Sequence, residues 1–135
     1  MRAPLSSEQG AIAAEFALVV PALLLFLMGI MDAGRIFNAW MVLTNGTRNA
    51  ARYGVAGIRD GDSNLASEVQ SFAVTEMGQL LDATALSVVV TPQASNGMTT
   101  SVTVSAVYQV AMTTPFMQVA LGTVPVSVQS VMRAE

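Results

Sequence analysis

The chain of 135 residues contains no cysteine and no histidine. These absences exclude disulfides, thiolate nucleophiles, zinc sites built on nitrogen and sulfur ligands, and the commonest general base. They do not fix the compartment, because exported small domains often carry disulfides without requiring them. Lysine is missing too, so all six basic residues are arginine. Charged residues make up only 11% of the chain, low for a soluble globular protein, and the net charge of −3 argues against a nucleic-acid partner. No P-loop, dinucleotide fingerprint or recognisable carboxylate pair is present. The expectation is a protein that is not an enzyme and has no cofactor and no metal.

What the chain has in excess is apolar residues, at 53%, and they are concentrated near the N-terminus. Residues 11–31, AIAAEFALVVPALLLFLMGIM, carry a single charge, Glu15. A run of roughly 20 such residues matches the hydrocarbon thickness of a bilayer. Pro21 would kink a helix there without forbidding it, since membrane helices tolerate proline. The run is longer than the apolar core of a removable secretory signal, and Met31-Asp32-Ala33 is a poor cleavage site, so a retained anchor is expected. Arg2 on one flank favours a cytoplasmic N-terminus, and Arg35 on the other opposes it.

Beyond the span, residues 32–57 keep a helical period. Ile36, Ala39, Trp40, Leu43, Thr47, Ala50, Ala51 and Gly54 fall on one face, with Arg48, Arg52 and Arg59 opposite. Span and continuation read as one helix over about 11–56, roughly 70 Å long at 1.5 Å per residue. Its outer half must then be buried against something. Glycines at 29, 34, 46, 54 and 57 are read as close-packing positions, against the plainer reading of mere tolerance in a membrane helix.

Residues 58–64 form a turn in which Asp62 or Ser63 could cap a second, amphipathic helix over 63–82. Its apolar face would hold Leu65, Val69, Phe72, Met77, Leu80 and Leu81. Three runs then alternate with period two: Leu86–Val90, Val102–Val110 and Val124–Val128. PQASNGMT joins the first two as a hairpin loop, and residues 113–122 are a short helix or a loop. The expected class is α+β: a long N-terminal transmembrane helix, a second helix and a small antiparallel sheet of about three strands. The expected divisions are a leader over 1–10, the long helix over 11–57 with its span at 11–31, and a head over 60–135.

Glu15 is the anomaly, because a charge inside a bilayer costs at least a few kcal/mol and calls for a partner or a role. The bland account places it at the interface, snorkelling to water. Its surroundings favour another. Gly10, then Ala11-Ile12-Ala13-Ala14-Glu15-Phe16, resembles the processing site of type IV prepilins. Further along stand Val20-Pro21, then Gly29-Ile30-Met31-Asp32-Ala33-Gly34-Arg35, then Thr44-Asn45-Gly46-Thr47-Arg48-Asn49-Ala50-Ala51-Arg52-Tyr53-Gly54. Together these resemble the TadE-like family, minor pseudopilins of tight-adherence (Tad/Flp) pilus systems. One departure is Ala11, where many pilins have Phe or Met.

The resemblance implies a pilin-like fold and cleavage by a prepilin peptidase between Gly10 and Ala11, which leaves Glu15 fifth in the mature chain. It implies recognition or assembly roles for Glu15 and Phe16, and packing or partner contacts at Pro21, Gly29, Gly34, Arg48 and Arg52. Other Tad pilins and an inner-membrane assembly platform are the implied partners. The implied location is the cytoplasmic membrane, single-pass, with the head outside. Cleavage would create a positive α-amine at Ala11, one helical turn from Glu15, which can pair with it in a bundle of subunits. The arginine stripe reads either as a solvated face or as a contact with the acidic head of a neighbour. The competing function is a single-span structural or binding module of the envelope that never enters a filament.

Overall fold

The computed structural model describes residues 7–60, 64–95 and 98–134. Helix α1 runs unbroken from Ser7–Asp60, 54 residues, through Pro21. At 1.5 Å per residue it is about 80 Å long. Helix α2 is Leu65–Gly78, followed by a 3-10 turn at Ala83–Ala85. Strands β1 (Leu86–Ser95) and β2 (Met98–Ala111) come next, then helix α3 (Pro115–Leu121) and strand β3 (Thr123–Arg133). The sheet has the order β1-β2-β3 and is antiparallel throughout. The α+β class and the three strands agree with the sequence reading.

The period-two runs put Val88, Val102, Val104, Ala106, Val110 and Val126 on the covered face, where all are buried. The cover is two helices. The outer half of α1 lies on β2 and β3, while α2 fills the space between α1 and β1. Ala39, Leu43, Ala50 and Ala51 of α1 join Leu65, Val69, Ala73 and Met77 of α2 in the same core. The head is therefore built on residues 36–58 of α1 as much as on the chain after residue 60.

The inner half of α1 is different. No residue between Glu8 and Met31 is buried, and Leu18, Leu24, Phe26 and Ile30 are among the exposed apolar side chains. A helix this long, this apolar and this unburied is not the core helix of a soluble domain. It supports single-pass membrane anchoring.

Several local expectations shift. PQASNGMT is mostly strand: Pro92 pairs with Val102, and Ser95 with Met98, after a register shift at Gln93/Ala94. Proline is tolerated because β1 is an edge strand, so one side of its backbone needs no partner. Asn96 and Gly97 lie outside the described residues, as do the expected caps Asp62 and Ser63; Asn64 occupies the N-cap position of α2. Trp40, placed on the buried face by its period, is 48% exposed and stacks on Phe37 with ring centroids 5.9 Å apart. Phe72 leaves the core to stack on Tyr53 at 4.7 Å, and Leu80 is 70% exposed; Ala73 takes the inward place on α2. Residues 113–122 resolve into α3.

The glycines divide into two groups. A Cβ at Gly54 would stand 3.0 Å from Val102 and 3.1 Å from Val69, and one at Gly46 would overlap the Met77 side chain. Gly29 and Gly34 have nothing within 4 Å. Gly54→Ala is accordingly expected to destabilise the head by about 1–2 kcal/mol, overpacking against two stiff branched side chains outweighing the helix propensity gained. Gly34→Ala should be neutral or stabilising by up to about 1 kcal/mol. Thermal unfolding of the two variants in the same detergent compares them directly.

Candidate functional site

The apolar run of α1 ends at Met31, and the next residue is an aspartate only 4% exposed. A buried carboxylate needs donors. Asp32 takes them from a segment some eighty positions away: its Oδ1 accepts the Thr113 amide at 3.0 Å and its Oδ2 the Thr114 amide at 3.0 Å. These amides lie between β2 and α3, and Thr114 is the N-cap of that helix. One turn along α1, Arg35 donates to the Ala111 carbonyl at 3.0 Å and to the Thr113 hydroxyl, and stands 3.8 Å from Asp32. Asp32 and Arg35 thus bind the β2–α3 connection to the helix where the apolar run ends.

The Thr114 hydroxyl is buried with no partner in good hydrogen-bond geometry; the nearby Asp32 carboxylate is the charge it acts on. That hydroxyl first, then the Thr113 and Thr114 amides, hold the Asp32 carboxyl down to about 2, against burial, which pushes it up. A folded value below the unfolded one of 3.8 means the interaction stabilises the protein in full above the unfolded value. It is lost as the pH falls toward the folded one. Melting temperature should therefore drop between pH 5 and pH 2, and Asp32→Asn should flatten that part of the profile while exposing the Thr113 and Thr114 amides to hydrogen exchange.

Beside this junction lies an open cleft of about 470 Å³, bordered by Gly34, Arg35, Asn38, Leu81, Asp82 and Tyr108 among others. Asp82 is already engaged, accepting the Thr84 amide at 2.9 Å and its hydroxyl at 2.7 Å, which hold its carboxyl below the usual range. Among the described residues no three carboxylates gather in a way that could hold a metal.

The residues singled out in the sequence fall along α1 and are not brought together within one chain. Gly10 and Ala11 sit near the start of the helix, exposed. Glu15 and Phe16 project from the unburied half, and among the described residues Glu15 has no side-chain partner. Pro21 is exposed and Gly29 half-buried on the same half, and Gly34 is exposed at the cleft. Arg48 and Arg52 are exposed on α1; the Arg59 side chain lies outside the described residues. An acid of the head does reach α1: Glu76 Oε1 accepts from the Asn49 amide at 2.8 Å. The sequence reading placed Asp32 in a poor cleavage site, took Arg35 as a flanking charge and put both in a longer motif, but did not tie them to the sheet. The signal for them was a carboxylate directly after an apolar run, with an arginine three positions on.

Residues 10–52 match the family model described as TadE-like protein. That segment is similar to the TadE-like family. No curated protein and no solved structure shows significant similarity to the chain. The TadE-like segment holds the Gly10–Ala11 bond, Glu15, the whole apolar run, the Asp32–Arg35 pair and Arg48 and Arg52, and it stops short of α2 and the sheet.

Proposed function

We propose that the chain is a minor pseudopilin of a Tad-type pilus system, cleaved between Gly10 and Ala11 by a prepilin peptidase. It initiates or supports pilus assembly in the cytoplasmic membrane, with its head outside the cytoplasm. The observation that carries this reading is the TadE-like match over an α1 whose inner half is wholly unburied, with Glu15 five residues into the chain that cleavage would leave. A single-chain membrane anchor needs no charge at that place. A subunit that must be set in register against others does, because an α-amine and a carboxylate one turn apart can pair between neighbours.

The helix itself bears on cleavage. The Gly10–Ala11 bond lies close to Ser7, where α1 begins, and the end of a helix frays at low cost. A peptidase can take an extended strand there without unravelling the span. Cleavage after residue 33, as for a secretory signal, would instead cut a helix whose next turns are fixed to the sheet.

The mature protein is expected to begin at Ala11. Gly10→Val should leave residues before Ala11 attached in essentially all molecules, since a β-branched side chain does not fit a site built around glycine. Mass spectrometry of the N-terminal peptide from membranes reads both. Wild-type protein with an uncut N-terminus would favour the envelope module that never enters a filament.

A further inference from the structure

The β2–β3 connection exposes a surface that the assembly reading leaves unused. No residue of α3 is buried. Phe116 is 71% exposed, Val119 90% and Leu121 56%, and Gln118 is the only polar side chain in the helix. No charged residue occurs anywhere between Asp82 and Arg133. Soluble surfaces place isolated apolar residues in water routinely, but a whole uncharged apolar helix on the outside of a domain marks a contact.

Its position in the fold indicates the contact. Strand β2 runs antiparallel to α1: Val102 packs at Gly54, and Ala111 meets Arg35. The end of the sheet that carries α3 is thus the end facing the apolar run. Thr114, the residue before α3, donates its amide to Asp32, the first residue after that run. Phe37 and Trp40, stacked and exposed, stand one to two turns further out on α1. That is the level at which aromatic side chains gather at a membrane–water boundary. The apolar surface of α3 therefore begins where the apolar surface of the span ends.

We infer that α3 is an interfacial anchor, lying in the headgroup region of the same bilayer that α1 crosses, with Phe116 and Val119, which share one face of the helix, toward the acyl chains. Interfacial helices sit with their apolar face roughly 5–10 Å into the boundary; α3 carries no charge, so its attachment would rest on its apolar side chains and on the span that already holds the protein there. With α3 in the lipid and the Asp32–Arg35 tie behind it, the head has two attachments to the membrane, which limits how it can turn about α1. The inference rests on the membrane-anchored reading of α1.

The absence of cysteine makes the test direct, because one introduced cysteine is the sole labelling site. Full-length chains carrying Val119→Cys, Phe116→Cys, Leu24→Cys or Val131→Cys are spin-labelled and reconstituted in lipid nanodiscs at one chain per disc. Accessibility to oxygen, which partitions into lipid, is compared with that to a water-soluble nickel chelate. Oxygen should dominate at positions 24, 116 and 119, and nickel at 131 on the outer sheet. Oxygen at 24 with nickel at 116 and 119 overturns the α3 anchor and leaves the span intact. Nickel at 24 overturns the span and the anchor together. If positions 116 and 119 lose nickel access only when several chains share a disc, the occupant is a second copy and the lipid assignment is wrong.

Discussion

A fragment beginning at residue 60 is expected to be unfolded, and one beginning at Asp32 to keep the fold of the head. The sheet has one covered face, and α1 supplies much of the cover: Ala39, Leu43, Ala50 and Ala51 are each at most 1% exposed within the core they share with Val102 and Val104. Removing the helix returns those valines, Val126 and the inner side of α2 to water. Each large apolar side chain exposed costs roughly 1.5–3 kcal/mol. Three or four of them match the entire stability of a domain this size, about 5–15 kcal/mol. The short fragment should show the circular dichroism of a disordered chain and no cooperative melt. The fragment from Asp32 retains the carboxylate tie to Thr113 and Thr114 and should melt cooperatively. A cooperative transition in the short fragment would show that α2 and the sheet suffice.

That dependence was half legible in the sequence. The helical period over 32–57 and the alternation in three later runs require a long helix and a sheet, and the need to bury the outer helix follows from its apolar face. The boundary did not follow, because a turn at 58–64 looks like the edge of a domain whether or not the core crosses it. Trp40 shares the period of Leu43 and Ala39 yet faces out, since a core lined by alanines and valines leaves its ring no room and Phe37 offers a stacking face. Pro92 in a strand was hidden for a different reason: proline argues against a strand only if the strand is central, and strand order is not a local property of sequence.

The Asp32 junction was the least visible part of the candidate site. Its donors are the main-chain amides of Thr113 and Thr114, and a backbone N–H has no signature in a sequence. Glu15 shows the opposite case. Its oddity is entirely a matter of sequence, a charge in an apolar run, and the single chain gives it no partner to reveal.

Glu15→Leu should leave membrane insertion intact or improve it, because removing a charge from an apolar segment lowers the transfer cost. Assembly should nonetheless fail. In the cleaved variant the α-amine of Ala11 enters an apolar bundle without its carboxylate, a defect of about 3–5 kcal/mol by comparison with other broken buried pairs, or more than a hundredfold in an association constant. The peptidase can read the same residue, so the N-terminal mass of the variant is measured before assembly is scored. Glu15→Gln separates charge from shape: it keeps the size and the hydrogen-bonding oxygen and should fail nearly as badly if pairing is electrostatic. Leu18 provides the control, since Leu18→Ile changes another exposed residue of the apolar run while leaving the charge in place. Piliation at the wild-type level by cleaved Glu15→Leu protein would leave Glu15 as an interfacial residue with no part in register, and the pairing account would be wrong.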